Sequence, residues 1–430
     1  MYFSLDVLRA RQGDCLMLHY GSEDKPRLML IDGGPATVYA KSLEPRLQRL
    51  RAARERVGLL DTADPLPVDV VLVSHIDDDH IRGILDLTHE QRRRAAGLRL
   101  AVTSLWHNSF DDLLSTKPDE LTSGFGTASI LAGTDANLFA GVEIGDSEEE
   151  AAAQAVLASV PQGRTLRDDA ADLGWKPNHK FKGKLILTSP EVAPVDLSGV
   201  AITVAGPMQK ELQALQDMHD QWLRRRKNDG TRPTASAMLA AFVDKSVPNL
   251  SSIVLLAECD GKTILLTGDA RGDKIVEGLE MSGKLAKGQT LHVDILKVPH
   301  HGSDNNLETS FFERITADHY VFSGNGDYGN PERATLQMLL DARGADNAYT
   351  IHLTYPIEEI DAGREADWVK QQAKEANRAT PPKGGVRADW SAEEQGVAAF
   401  FADNPELAAK VKIVADGQPH LIDLLDKVML

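Results

Sequence analysis

The feature that most constrains this chain is the stretch His75-Ile76-Asp77-Asp78-Asp79-His80, which directly follows the valine-rich run Val68–Val73. A near-continuous apolar run of that length reads as a strand buried on both faces. It delivers Ser74 and His75 at its C-terminal end, and a helical pattern follows from about Ile81 to Ala96. Residues placed where strand gives way to loop are held rigidly, which suits a site. Imidazole and carboxylate together, with no thiolate, suit zinc, manganese or iron. The spacing points His75 and Asp77 one way and Asp79 and His80 the other, so one loop can serve two ions.

Three further features follow in the order such a site needs. Leu265-Leu266-Thr267-Gly268-Asp269 is a strand running into a tight turn, and the Asp269 carboxylate there can bridge two metals. Leu296-Lys297-Val298-Pro299-His300-His301-Gly302-Ser303 is another buried strand, ending in paired histidines. One of the pair completes the second metal shell, with Ser303 placed to orient it, and the sequence does not choose between His300 and His301. The polar loop from Ser323 to Pro331 follows the last core strand and forms the far wall of a cleft, offering Asn325, Tyr328 and Asn330 to a substrate.

The HxDxDH loop, the strand with Thr-Gly-Asp, the Pro-His-His-Gly-Ser segment and the early turns Gly13-Asp14 and Asp32-Gly33-Gly34 resemble the metallo-β-lactamase superfamily. Within it they most resemble the soluble hydrolase domain of ComEC-type DNA-uptake proteins. The resemblance covers roughly residues 1–100 and 180–350. It implies an α/β fold, an αββα sandwich with metals between two β-sheets and helices outside. Two departures bear on the site. Asp77 stands where the superfamily usually has a histidine, a substitution the ComEC-type branch shares. The histidine usual before the strand preceding Thr-Gly-Asp is absent from Pro248-Asn249-Leu250-Ser251-Ser252. The first metal site is therefore expected to draw a ligand from elsewhere, and His107 is a candidate for that place or for a substrate contact.

The length suits one large domain with insertions. The hydrolase domain is expected over 1–355, with insertions at about 111–180 and 208–246, and a C-terminal α/β extension over 356–430. Short strands are expected at Leu185–Thr188 and Val200–Val204, and a closing hairpin pairs Lys410–Ile413 with Leu421–Leu424. Cys15 and Cys259 are too few for a disulfide framework. No basic, apolar leader and no run of 18 apolar residues occurs, so a cytoplasmic protein with no membrane partner is expected.

The net charge of −17 argues against a protein that coats nucleic acid, although a nucleic-acid enzyme needs only a local cationic channel. Two basic clusters can supply one: Lys176, His179, Lys180, Lys182 and Lys184, and then Arg224, Arg225, Arg226 and Lys227 after Trp222, which can stack a base. Each reads equally as a solvated face.

The chemistry expected is hydrolysis by a metal-activated hydroxide with two divalent ions, Zn²⁺ or Mn²⁺. The first ion takes His75 and Asp77; the second takes Asp79, His80 and one of His300 and His301. Asp269 bridges, and Asp79 and Asp269 carry the catalytic role. The leading function is a phosphodiesterase, a nuclease on nucleic acid. Family context extends this to a bacterial antiviral defence effector held latent by a regulatory partner. Two alternatives stay open: hydrolysis of a small ester, lactone or thioester, and a catalytically silent binding module. Oligomeric state is not encoded in any of these features.

Overall fold

The computed structural model describes residues 1–93, 97–108, 162–190, 193–210, 251–345, 347–378 and 384–429. The strands are β1 (Tyr2–Val7), β2 (Leu16–Ser22), β3 (Lys25–Ile31), β4 (Leu66–Leu72), β5 (Leu100–Trp106), β6 (Lys176–Pro177), β7 (Val195–Leu197), β8 (Val200–Gly206), β9 (Val254–Cys259), β10 (Lys262–Leu266), β11 (Leu291–Lys297), β12 (Ile315–Phe322), β13 (Thr350–Leu353), β14 (Val411–Ile413) and β15 (Leu421–Asp423). They form two mixed sheets among the described residues, ordered β15-β1-β2-β3-β4-β5-β6 and β14-β13-β12-β11-β10-β9-β8-β7. The helices that matter below are α1 (Glu44–Arg56), α2 (Asp78–Arg93), α3 (Gly272–Met281), α4 (Thr309–Arg314), α5 (Arg333–Arg343) and α6 (Ile357–Ala376).

Three apolar layers separate these elements. Phe3, Leu5, Leu18 and Val70 of the first sheet meet Ile202, Leu255, Ile264 and Val321 of the second in a central core. Leu30, Val71 and Val73 on the outer face of the first sheet pack with Leu47 of α1 and Ile84 of α2. Leu296 and Tyr320 on the outer face of the second pack with Ile275 of α3, Phe312 of α4 and Leu336 of α5. The chain is thus the αββα sandwich that the resemblance implies. Strands that bury both faces are mostly apolar, and β1, Tyr-Phe-Ser-Leu-Asp-Val, buries all six residues, its two polar ones satisfied by Asp423 beside Ser4 and Arg46 beside Asp6.

Register carries the strand ends to one place. β3 and β4 are parallel with Ile31 opposite Leu72, so Asp32 emerges beside Ser74. β10 and β11 are parallel with Leu265 opposite Leu296, and β11 and β12 with Lys297 opposite Val321. The loops after β3, β4, β10, β11 and β12 therefore open at the same edge, the usual place for a site where parallel strands end.

Two local expectations change. Leu185–Thr188 is not a strand; it contributes a single bridge, Thr188 to Met208. The closing hairpin does not form either. β14 pairs in parallel with β13, whereas β15 pairs antiparallel with β1. A short apolar segment gains more from completing an open sheet edge than from closing a hairpin with little core beneath it. The last residues thus complete both sheets. Among the described residues, no helix is long and apolar enough to cross a membrane. The cluster Trp222 to Lys227 and most of both expected insertions lie outside the described residues.

Candidate metal centre

The loop after β4 is built around Asp32. Its carboxylate accepts from the Ser74 backbone N–H and the Ser74 hydroxyl, each at 2.7 Å, and faces His80 Nδ1 at 2.8 Å. A carboxylate on one ring nitrogen of a histidine fixes ring orientation and tautomer and presents the other nitrogen outward. The first turn of α2 carries Asp78 and Asp79, where the helix N-terminus favours negative charge. This helix can come close because glycine meets glycine. A Cβ on Gly33 would lie 2.4 Å from the Ile84 nitrogen, and one on Gly83 would lie 1.9 Å from the Gly33 carbonyl oxygen.

The paired histidines are aimed by strain. His300 has φ 48°, ψ 47° and His301 has φ 55°, ψ 14°, two consecutive left-handed residues, neither of them glycine. Such residues cost roughly 1–3 kcal/mol each and persist where the surroundings fix them, as at many functional sites. The sharp turn separates the rings, whose planes lie 69° apart. His301 Nδ1 meets the Ser323 hydroxyl at 2.9 Å, and that hydroxyl donates to Asp14 Oδ1 at 2.5 Å. Asp14 Oδ2 lies 2.6 Å from the buried ammonium of Lys297. The hydroxyl that meets a ring of the histidine pair is that of Ser323, on His301, while the Ser303 backbone N–H donates to the His300 carbonyl.

Asp269 sits at the centre. Its Oδ1 is 3.3 Å from His80 Nε2 and 3.4 Å from His301 Nε2. Its Oδ2 is 3.7 Å from His75 Nε2 and 3.6 Å from His300 Nε2. Asp77 lies 3.7 Å from His75 Nε2, and Asp79 lies 3.9 Å from both His80 and His301 Nε2. The paired histidines thus divide: His301 joins the Asp79–His80 side, and His300 joins the His75–Asp77 side. Ligand-type atoms of Asp14, His80, Asp269 and His301 lie within 4.8 Å of one another, as do those of His75, Asp79 and His80.

The residues fit divalent cations on their own evidence. His75 Nε2, His80 Nε2, His301 Nε2 and Asp269 Oδ1 are buried, converge, and lack hydrogen-bond partners among the described residues. Leaving such atoms unsatisfied costs roughly 1–3 kcal/mol apiece, which a cation at the point of convergence removes. Charge crowding points the same way. Burial, then Asp79 and Asp269, push the Asp77 carboxyl up to about 8. Burial opposes a proton on His301, yet Asp269 and Asp14 outweigh it and raise the ring to about 9. Burial and the nearby cationic histidines hold His75 well below its ordinary value.

The other expected site residues fall outside this convergence. His107 is buried beside it, its Nδ1 3.3 Å from the Val73 carbonyl and its backbone bracketed by the Asn178 amide. Asn325 braces its own loop by donating to Asp327 at 3.0 Å. Asn330 is buried, and its backbone carbonyl accepts from the Gly326 N–H. Tyr328 is 64% exposed, and partial burial, then the Asp79 charge, raises its phenol above the ordinary value. The lysines at 176, 180, 182 and 184 are exposed on the edge strand β6 and the turn after it.

Asp14, Asp32, Ser74, Lys297 and Ser323 escape a reading based on ligand types alone. One signal was present: Lys297 follows Ile295 and Leu296 at the buried end of β11, and a buried lysine demands a buried carboxylate.

No protein-family model matches the chain. Among curated proteins, the sequence is similar to microtubule-associated protein 1A: 30% identical over 122 residues to that of Homo sapiens, and 28% over 149 residues to that of Mus musculus. These stretches cover 28% and 34% of this chain, and only 4% and 5% of those proteins. Among solved structures, the chain is similar to the metallo-beta-lactamase fold protein YhfI from Bacillus subtilis, with 9% identity over 82% of this chain and 97% of that one, at a TM-score of 0.35. It is also similar to Zn(2+)-bound PqqB from Methylobacterium extorquens, with 11% identity over 95% and 87%, at a TM-score of 0.30. At such scores the superpositions carry no detail of the site, which rests on the geometry above.

Proposed function

We propose that this chain is a metal-dependent hydrolase acting on phosphodiester bonds of nucleic acid. The observation that carries the metal chemistry is Asp269, whose two carboxylate oxygens each face a different pair of buried imidazole nitrogens. In this reading His75, Asp77 and His300 hold one ion, Asp79, His80 and His301 the other, and Asp269 is shared. His300 then takes the place left by the missing motif histidine. A divalent ion held here, Zn²⁺ or Mn²⁺, supplies Lewis acidity toward a phosphoryl oxygen and makes water acidic enough to act near neutral pH. The anionic oxygens of Asp77, Asp79 and Asp269 favour hard cations, which keeps Mn²⁺ in contention with Zn²⁺.

The chain's own groups do the rest. Asp32 and Asp14 keep His80 and His301 turned inward, so that neither ring has to reorganise when substrate arrives. Tyr328 stands exposed at the mouth as a stacking platform for a base. The exposed lysines of β6 and the turn after it offer phosphate contacts two strands away from the candidate metal-binding loop, since β6 pairs with β5 and β5 with β4. They support a polymeric anion over a small neutral ester.

The test is cleavage of end-labelled single-stranded DNA, duplex DNA and RNA by purified protein, with Mn²⁺ or Zn²⁺ restored after chelation. Metal-dependent cleavage that disappears in Asp269→Asn supports the reading. Metal bound at two equivalents with no polymer cut, alongside turnover of an ester or lactone, would replace the nuclease with the small-ester hydrolase. A role in defence, with a partner holding the enzyme latent, requires that the isolated protein be slow until that partner is removed or altered.

A further inference from the structure

Lys297 is among the largest side chains that the molecule buries completely. Its ammonium faces one carboxylate oxygen, Asp14 Oδ2 at 2.6 Å, and both side chains are only 1% exposed. Burying two charges costs several kcal/mol per ion before their attraction offsets it, and an apolar pair of similar volume often packs as well or better. Packing between β11 and the turn before β2 therefore does not call for this pair.

The second oxygen of Asp14 shows what the pair is for. Asp14 Oδ1 accepts from the Ser323 hydroxyl at 2.5 Å and lies 3.4 Å from His301 Nδ1, which the same hydroxyl meets at 2.9 Å. Lys297, Asp14, Ser323 and His301 thus form one line, and at its far end His301 Nε2 stands 3.4 Å from Asp269 Oδ1. Lys297 ends β11, Asp14 precedes β2, Ser323 follows β12 and His301 follows β11, so no one element fixes the line. The Asp14 turn is also pressed against the ligand loop. Its N–H donates to the Asp79 carbonyl at 3.3 Å, and a Cβ on Gly13 would lie 1.9 Å from that oxygen. Five carboxylates surround the convergence, those of Asp14, Asp32, Asp77, Asp79 and Asp269. Among the described residues, no lysine or arginine other than Lys297 pairs with any of them.

We propose that Lys297 is a positioning residue for the metal centre. It pins one oxygen of Asp14, so that the other holds the Ser323 hydroxyl and, through it, the His301 ring in the metal-binding orientation. An apolar side chain at 297 fills the same space but leaves the Asp14 carboxylate free to turn. The inference rests on the metal reading of the site and is independent of the nuclease reading.

The experiment is competition for Zn²⁺ between a chelator and the full chain, with bound metal counted per chain. Wild type, Lys297→Met, Asp14→Asn and the double variant are compared. The double variant removes both charges of a buried pair, a replacement that proteins commonly tolerate, so the test stands even where a single variant does not fold. K297M and the double variant are expected to bind one equivalent roughly tenfold more weakly or worse, and to keep the other. The double variant should be no weaker than D14N, because Lys297 acts through Asp14. Wild-type affinity in the double variant would reduce the pair to packing and overturn the proposal. Tighter binding in K297M, equal weakening of both equivalents, or losses that add in the double variant overturn it as well. A wild type that binds no metal overturns the metal reading together with this inference, whereas normal wild-type binding with any of those results overturns this inference alone.

Discussion

Two clusters of histidine in this molecule are built in opposite ways. At the candidate metal centre, His75, His80 and His301 turn Nε2 inward toward the carboxylate of Asp269, without a hydrogen-bond partner among the described residues. In the second cluster the rings satisfy one another. His319 Nδ1 meets His352 Nε2 at 3.0 Å, and His352 Nδ1 meets His420 Nε2 at 2.9 Å. Both nitrogens of His352 are spent on other imidazoles, so it has none to offer a cation. Burial, then neighbouring His420, His319 and Lys412, lowers His352 to about 2; burial, then Lys412, lowers His420 to about 4. Count and proximity of histidines therefore do not define a metal site; the direction of the unspent nitrogen and a facing carboxylate do.

The largest expected effect falls on the residue that joins both halves of the centre. Asp269→Asn should lower hydrolytic turnover by roughly a hundred- to a thousandfold, the scale on which removing one electrostatic element of an active site acts. It should also abolish the metal-induced rise in unfolding temperature. His352→Gln should leave that rise intact, because a cation at a hundred times its dissociation constant adds about 2.7 kcal/mol only where it binds. A variant H352Q that loses the metal shift would erase the distinction drawn here.

Next in size are the residues behind the ligands. Asp32→Asn and Asp14→Asn should each weaken metal affinity by roughly 10–100-fold, the usual cost of removing an orienting carboxylate. Competition with a chelator reads this directly, and unchanged affinity in both variants would mean that the rings are held by packing alone. His300→Ala sharpens the division of the pair. His300 is 28% exposed and His301 is buried, so H300A should lose one metal equivalent and keep the other, as counted by metal analysis after desalting. Equal loss from both halves would refute the split.

The smallest effect concerns pH and the second cluster. His352 and His420 are kept neutral when folded, while their unfolded-state values lie near 6.5. The unfolded chain therefore binds more protons below that pH. The stability these groups contribute is fully present above about pH 6.5 and is lost as pH falls toward the folded values. The loss should reach about 1 kcal/mol per histidine near pH 5.5. Urea unfolding at pH 7.5 and 5.5 should show a smaller pH dependence in H352Q than in wild type. An identical dependence would show that the trio is solvated rather than sealed.

Much of this is legible in the sequence. The run Val68–Val73 announces a buried strand because only such a strand tolerates apolar residues on both faces, and the ligands of the HxDxDH loop are then fixed to its end. The same logic places Asp269 after β10 and the histidine pair after β11. Short-range patterns fail at the end of the chain. Lys410–Ile413 and Leu421–Leu424 look like a hairpin, and which open edge each segment meets is settled by parts of the chain far away in sequence. Asn325 is a similar case: a polar residue in a turn looks available to substrate until its amide is seen to be spent on Asp327.

The sequence by itself determined the candidate ligand types, their order, and the strands that carry them, because strand burial and loop position follow from local apolar patterning. Only the tertiary structure decided which atoms converge. Asp14 and Ser323 meet across 309 residues, and Asp32 reaches Ser74 across 42. The left-handed backbone at His300 and His301 sends two adjacent rings to opposite oxygens of one carboxylate. Such strain and such long-range contacts are held in place by the packed surroundings rather than by local preference, so no window of sequence contains them.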